Sequence, residues 1–226
     1  MRAEDERTII AIQDLALRTN WTKKHLERMN VSDRCRMCGE NPELISHILS
    51  GCKILLESGL YTDRHDSVCR NIHFKLSKKF GLPTSTEHHW SYKPNSIEEN
   101  ERALLLYDYS IPTDNRIAHN RPDIVLHNKT ESICLIIEVG VPWDTGISAY
   151  EREKELKYQT LKYEIRRMWN VQDVIVIPVV IGATGVIKKS LNDNLQKLPI
   201  QISTIELAMA VIKKSISICR RVLGYR

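Results

Sequence analysis

Apolar residues change their spacing near the middle of the chain. In residues 1–34, Ile9, Ile10, Ile12, Leu15 and Leu17 make a broad apolar face, and the segment reads as helical. In 53–80, Leu55, Leu56, Val68, Ile72 and Leu76 recur at helical spacing and predict one or two helices. Beyond residue 100 the apolar positions gather into short runs. Leu104-Leu105-Leu106-Tyr107-Asp108-Tyr109, Ile124-Val125-Leu126 and Ile133-Cys134-Leu135-Ile136-Ile137 read as strands. The polar Lys129-Thr130-Glu131 between the last two suits a hairpin turn. The stretch 149–170 contains no Gly or Pro and places Leu161, Ile165, Met168 and Trp169 on one helical face, which predicts one helix. Residues 174–181 are continuously apolar, as expected of a central strand buried on both faces, with Pro178 marking a bulge or strand end. Ser203-Thr204-Ile205-Glu206 is a capping box that opens a helix running to about Val222.

Strand, strand, helix, strand, helix describes a small α/β core over 101–226. Ahead of it the pattern gives a helical lead-in (1–34) and a Cys/His segment with a helical region (35–80). A linker or long loop (81–100) follows, carrying Pro83, Pro94 and an ordinary-loop His88-His89-Trp90. No internal repeat is present. The 226 residues suffice for one or two domains with a real core, and 42% hydrophobic with 27% charged residues fits a soluble globular protein. The net charge of +5 permits nucleic-acid binding without requiring it. No run of about 18 apolar residues predicts a membrane span. The charged start Met1-Arg2-Ala3-Glu4-Asp5-Glu6-Arg7 has no apolar segment of the kind a secretory signal needs.

Cysteine usage changes the picture more. Of six cysteines, Cys69, Cys134 and Cys219 are scattered, and Cys134 sits in an apolar run as a buried thiol. The other three cluster as Cys35-x2-Cys38-x8-His47-x4-Cys52. Without a secretory signal, such clustering argues for a metal and a reducing compartment, cytosol or nucleus. Four protein ligands of N and S type match a closed, tetrahedral, structural zinc site, with Gly39 supplying the bend. So short a segment builds no core of its own, so ligation would supply its folding energy. Short knuckles of this kind often contact nucleic acid.

The second candidate site lies in Arg121-Pro122-Asp123, Glu138, Lys154 and Lys157. Asp123 begins one strand and Glu138 ends the next, so an antiparallel hairpin brings both carboxylates to one end. Two hard oxygen donors suffice for Mg2+, which retains waters. Lys154 and Lys157 share a helical face with Tyr158, Leu161 and Ile165, so they turn towards the sheet and can reach the acids, and Tyr158 is a candidate site residue able to hydrogen-bond there. Arg121 is placed to contact a phosphate. From spacing alone a plainer reading competes and is the weightier: a turn aspartate, a strand-closing glutamate and a solvated lysine face. His65 in Arg64-His65-Asp66 reads as a helix contact or as a residue orienting the knuckle. Asp144 reads as a loop cap ahead of an aid to the metal site, and Lys188-Lys189, Lys213-Lys214 and Arg220-Arg221 read as solvated faces.

Several segments carry a family likeness: Arg121-Pro122-Asp123-Ile124-Val125, Ile136-Ile137-Glu138-Val139, Val141-Pro142-Trp143-Asp144, and Glu153-Lys154 through Lys157-Tyr158-Gln159-Thr160-Leu161. Together they resemble the restriction-like endonuclease of early-branching, site-specific non-LTR retrotransposons. Cys35-Arg36-Met37-Cys38-Gly39-Glu40 with His47-Ile48-Leu49-Ser50-Gly51-Cys52 resembles the CCHC knuckle that precedes it. Tyr61 through Asp66, Thr113-Asp114, Trp169-Asn170-Val171 and Ile177-Pro178-Val179-Val180-Ile181-Gly182-Ala183 continue the likeness, which spans about residues 18–190. The resemblance implies a PD-(D/E)XK restriction-endonuclease-like core, a mixed sheet flanked by helices. It implies Mg2+-dependent nicking of target DNA, an upstream reverse transcriptase domain, element RNA as a partner and a nuclear location. By resemblance Asp123 and Glu138 are the metal-binding acids. The lysine usual two residues after the second acid is absent, Gly140 standing there, and the resemblance moves it onto the next helix as Lys154 or Lys157. The acid often found as Asp in that family is Glu138 here, and no polymerase segment lies within the chain. The alternative is a catalytically inactive nucleic-acid-binding knuckle module of a degenerate or truncated element.

Overall fold

A computed structural model of the chain describes residues 2–84 and 88–224. The N-terminal part holds α1 (Ala3–Gln13), α2 (Asn20–His25), α3 (Ile45–Ser50), α4 (Lys53–Glu57) and α5 (Leu60–Phe80). Strands β1 (Ile97–Glu99), β2 (Ala103–Tyr107), β3 (Ile124–Asn128) and β4 (Ile133–Gly140) follow. Then come α6 (Ile147–Lys157), α7 (Gln159–Met168), β5 (Asp173–Val180), α8 (Lys189–Leu195) and α9 (Thr204–Leu223). The five strands form one mixed sheet in the order β1-β2-β3-β4-β5. The first four pair antiparallel and β5 joins β4 in parallel. The α6–α7 segment supplies the long connection that a parallel pair requires.

Alternation along the strands sends side chains to two covered faces. Leu105, Ile124, Leu126, Leu135, Ile137, Val139, Ile177 and Val179 pack with Val68, Ile72 and Leu76 of α5 and Leu207 and Val211 of α9. Leu106, Val125, Cys134, Ile136 and Val174 meet Tyr158, Leu161 and Ile165 on the opposite side. A third cluster joins Ile9 and Ile12 of α1, Ile48 and Leu49 of α3 and Cys35 and Cys52 to the C-terminal half of α9 through Ile216, Cys219 and Val222. One long amphipathic helix therefore serves the sheet with its first half and the Cys/His region with its second.

Several expectations change. The described residues of the 1–34 segment, 2–34, hold two short helices joined by turns, with Leu15 at φ 56 ending the first pattern. The 81–100 stretch is more than a linker: β1 forms at its end and edges the sheet. Tyr92 and Glu98 are buried there, Tyr92 hydroxyl donating to Glu98 at 3.2 Å and Ser77 hydroxyl at 2.9 Å. Within that stretch His88 stacks on Trp90, and residues 85–87 lie outside the described ones. The predicted helix 149–170 is two helices, broken at Tyr158 (φ −101, ψ 10), whose ring is fully buried. No Gly or Pro marks that break. β5 is an edge strand and not a central one; its apolar run reflects helices on both faces. Edge position also explains Pro178: the missing N–H falls on the unpaired side, where the Pro178 carbonyl accepts Asn194 Nδ2 at 2.9 Å. The capping box is half made. Ser203 Oγ accepts the Ile205 N–H at 3.2 Å, but Glu206 turns away to Asn71 Nδ2 (3.0 Å) and Lys75 Nζ (2.9 Å).

Candidate functional site

The Cys/His segment folds as a tight turn followed by a short helix. Gly39 N–H donates to the Cys35 carbonyl at 2.8 Å, and Gly39 takes φ 71, a left-handed conformation that costs glycine little. Arg34 and Pro42 bridge across the turn, while His47 sits on α3 and Cys52 just beyond it. The four ligand atoms of Cys35, Cys38, His47 and Cys52 lie within 4.8 Å of one another. Cys35 Sγ and Cys52 Sγ are 3.9 Å apart, and Cys38 Sγ is 3.4 Å from His47 Nε2. A tetrahedron with ordinary zinc bond lengths has edges of ~3.8 Å between sulfurs and ~3.6 Å between sulfur and nitrogen. Both of these edges match, and the cluster can hold a metal such as zinc. Burial pushes the Cys38 thiol up, but backbone N–H donors of Asn41 and Glu40, then His47 and Cys35, together outweigh it and lower the pKa to about 6. Burial pushes Cys35 up to about 11.

Residues around the cluster fix its shape. Fully buried Glu43 accepts from Asn20 N–H at 2.7 Å, Arg36 N–H at 2.7 Å and the Arg36 guanidinium at 2.7 and 2.9 Å. Tyr61 hydroxyl accepts the Cys52 N–H at 3.2 Å and donates to the Ile48 carbonyl at 2.7 Å. Arg64, also buried, ties three elements together. Its guanidinium donates to the Leu49 carbonyl (2.7 Å), the Ser215 hydroxyl (3.1 Å) and the Val141 carbonyl (3.4 Å).

The carboxylates stand at one end of the β3–β4 hairpin. Ile124 pairs with Ile137, so Asp123 falls opposite Glu138 as predicted, although β4 runs on to Gly140 and does not end at the acid. Asp123 N–H donates to Glu138 Oε2 at 3.3 Å, and Asp123 Oδ2 accepts the Val139 N–H at 2.7 Å. Glu138 is buried and faces the α6–α7 side. There Lys157 Nζ lies 3.0 Å and Lys154 Nζ 3.2 Å from the same Oε1. The structure brings both lysines to the acid. Burial of Lys154 disfavours its ammonium, but Glu138 and then Tyr150 outweigh this and raise its pKa. Tyr158 is pushed up by burial and then by Glu138, so it stays a neutral phenol, and its hydroxyl donates to the Arg121 carbonyl at 3.3 Å. The Arg121 side chain departs from its expected direction: it forks onto Asp108 at 2.7 and 2.8 Å and stays exposed.

Three contributions escaped the sequence reading. His65 of α5 reaches Asp123 Oδ2 with Nε2 at 3.1 Å, while Nδ1 lies 3.0 Å from Asp66 Oδ1. Burial opposes its imidazolium, but neighbouring Cys69, Asp123 and Asp66 hold its pKa far above the ordinary value. The direction stands on the two carboxylates, because burial pushes Cys69 itself up to about 12 and keeps it a thiol at neutral pH. The available signal was Tyr61 through Asp66, but His65 precedes Asp123 by 58 residues. Arg64 was the second. The third is Tyr150: a Cβ on Gly140 would lie 2.2 Å from Tyr150 Cε1, and Lys154 Nζ sits 4.6 Å over that same ring. A side chain two residues after Glu138 would therefore have to displace the Tyr150 ring, and the cation arrives from α6. Asp144 is a loop cap, its carboxylate accepting Thr184 N–H (3.2 Å) and Thr184 hydroxyl (2.6 Å). Lys214 pairs with Asp63, and Arg220 with Asp5, where solvated faces were expected.

No protein-family model matches the chain, and no curated protein matches it.

Proposed function

We propose that this chain is the Mg2+-dependent DNA endonuclease segment of a non-LTR retrotransposon polyprotein, a PD-(D/E)XK-type core behind a structural zinc knuckle. One observation carries the reading: Asp123 and Glu138 are cross-strand neighbours at one end of a hairpin, with two lysines on the second acid. The mixed sheet, antiparallel up to β4 and continued in parallel by β5 after a helical connection, supports it. Asp123 and Glu138 offer carboxylate oxygens, which suit Mg2+ with retained waters. Asp123 Oδ1 accepts no hydrogen bond among the described residues, and the Asp123 side chain is 21% exposed. When bound, Mg2+ supplies charge neutralisation at a scissile phosphate and a lowered pKa for a coordinated water.

The chain's own groups do the rest. Lys154 and Lys157 pair with Glu138 and present positive charge where the pentacovalent phosphate becomes more negative. Tyr158 fixes the Arg121–Asp123 approach through the Arg121 carbonyl, and His65 orients the Asp123 carboxylate. DNA and element RNA as partners, an upstream reverse transcriptase domain, a nuclear location and a DNA contact by Arg121 belong to the same proposal. The test is supercoiled-plasmid nicking by zinc-loaded protein with Mg2+, beside Asp123→Asn. Wild type should nick and the variant should lose at least about a hundredfold in rate, as for removal of a principal charge-stabilising group. Equal nicking by both, or by neither, overturns the catalytic reading.

A second reading has its own support. Glu138 Oε1 is satisfied by two lysines, and Asp123 Oδ2 by Val139 N–H and His65. A nucleic-acid-binding module without catalysis would keep that arrangement intact. It predicts salt-dependent binding that survives Asp123→Asn, without cleavage.

A further inference from the structure

His65 and Cys69 lie four residues apart on α5, so their side chains stack on one helical face. That face points at the start of β3. Cys69 Sγ is 3.7 Å from His65 Nδ1 and 3.9 Å from Nε2, and His65 Nε2 is 3.1 Å from Asp123 Oδ2. One ligand atom from each of the three residues lies within 4.8 Å of the others. The set is a thiol, an imidazole and a carboxylate, a mixture suited to zinc or another thiophilic divalent ion and poorly suited to Mg2+. Three protein ligands leave a fourth position open, unlike the closed Cys35/Cys38/His47/Cys52 cluster.

A second observation points the same way. Nδ1 of His65 faces the Asp66 carboxylate at 3.0 Å. A ligating histidine commonly gives its other ring N–H to a carboxylate, which fixes the tautomer and turns the free lone pair to the ion. Here Asp66 would hold Nδ1–H and aim Nε2 at Asp123 and Cys69. Cys69 is buried, but the His65 and Asp123 side chains are 29% and 21% exposed and leave a way in from solvent.

We propose that His65, Cys69 and Asp123 form a second, open metal site for a thiophilic divalent cation such as zinc, with Asp66 as its positioning residue. Binding replaces the protons on Cys69 Sγ and His65 Nε2 and releases them to solvent. It engages the Asp123 oxygen that otherwise meets Val139 and His65. A thiophilic ion and Mg2+ would then draw on one carboxylate. The site requires no cleavage activity, so it stands or falls separately from the endonuclease reading.

The experiment is cobalt(II) titration of the 226-residue protein whose knuckle already carries zinc. Cobalt binds such ligand sets more weakly than zinc, so the knuckle keeps its metal. Wild type should take up one further equivalent with sulfur-to-cobalt charge-transfer absorption. Cys69→Ser should lose that absorption, and Asp66→Asn should weaken binding by about 10–100-fold. Should Cys69→Ser fail to fold, His65→Gln and Asp123→Asn, both at partly exposed positions, carry the test, each weakening cobalt at least about tenfold. Absence of a thiolate–cobalt equivalent beyond the knuckle zinc in wild type, or unchanged uptake in folded His65→Gln and Asp123→Asn, would overturn the site.

Discussion

The Cys/His cluster brings together four polar groups and the acid–lysine site five, yet the two are built in opposite ways. The first draws every ligand from residues 35–52, and a turn and a short helix set its geometry. The second takes His65 from α5, Asp123 from the β3 entry, Glu138 from β4 and the lysines from α6, so three layers of the fold must pack before it exists. The local cluster presents thiols and an imidazole that need a cation. The assembled site is already balanced by ion pairs. Local geometry can thus be read from spacing, while a balanced site depends on what tertiary packing brings against each charge.

The widest separation between the two should come from Cys52→Ser. It removes a ligand from the closed cluster, where apparent zinc binding is on the order of 10 kcal/mol in comparable short sites. We expect loss of about one bound zinc by metal analysis and rapid proteolysis within 35–60, while the sheet keeps its protection against hydrogen exchange. Uniform loss of protection would mean that the knuckle and sheet fold as one unit, joined through Arg64. Next in size is Glu138→Gln. It leaves two lysine ammoniums facing a neutral amide in a buried place, and denaturant unfolding should show a loss of about 3–5 kcal/mol. Asp123→Asn, at a partly exposed position, should cost about 1 kcal/mol or less. Equal costs would show that Glu138 is not the electrostatic centre of the assembled site.

A smaller effect tests why the cation comes from α6. Gly140→Ala should destabilise by about 1–3 kcal/mol through overlap with the Tyr150 ring, and Tyr150→Ala in the same chain should recover most of it. A double-mutant cycle measures the coupling. Additive losses would remove the steric account. A pH-dependent effect lies outside both sites and serves as a control. His73 is fully buried against Tyr92, Ser77 and Tyr107, and burial lowers its pKa to about 3. Its neutral form is held in the folded state while the unfolded chain protonates near 6.5, so its contribution is complete above that pH and is lost as pH falls towards 3. Thermal unfolding between pH 6.5 and 4 should lose up to ~1.4 kcal/mol per pH unit from this group, a slope absent in His73→Gln. An identical slope in both would place the acid sensitivity among the carboxylates.

Legibility followed the same division. The knuckle ligands were readable because Cys-x2-Cys, His and Cys sit within a few helical turns of one another, too close for the chain to separate them. The Asp123/Glu138 pairing was readable because a short hairpin fixes its own register. The break within 149–170 is invisible to periodicity because it comes from burying Tyr158 against the sheet end, with no Gly or Pro to announce it. The edge position of the 174–181 run is equally hidden, because apolarity reports helices on both faces and is silent about which edges are paired.

By itself the sequence determined the α/β class, the four-ligand cluster and the meeting of two acids at a hairpin end, since each follows from local periodicity or short loop closure. Only the tertiary structure decided that His65 meets Asp123, that Arg64 ties the knuckle to α9, and that Tyr150 occupies the space over Gly140. Those contacts join residues far apart in the chain. Their selection rests on volume, burial and charge balance in a packed interior, quantities that no spacing rule contains.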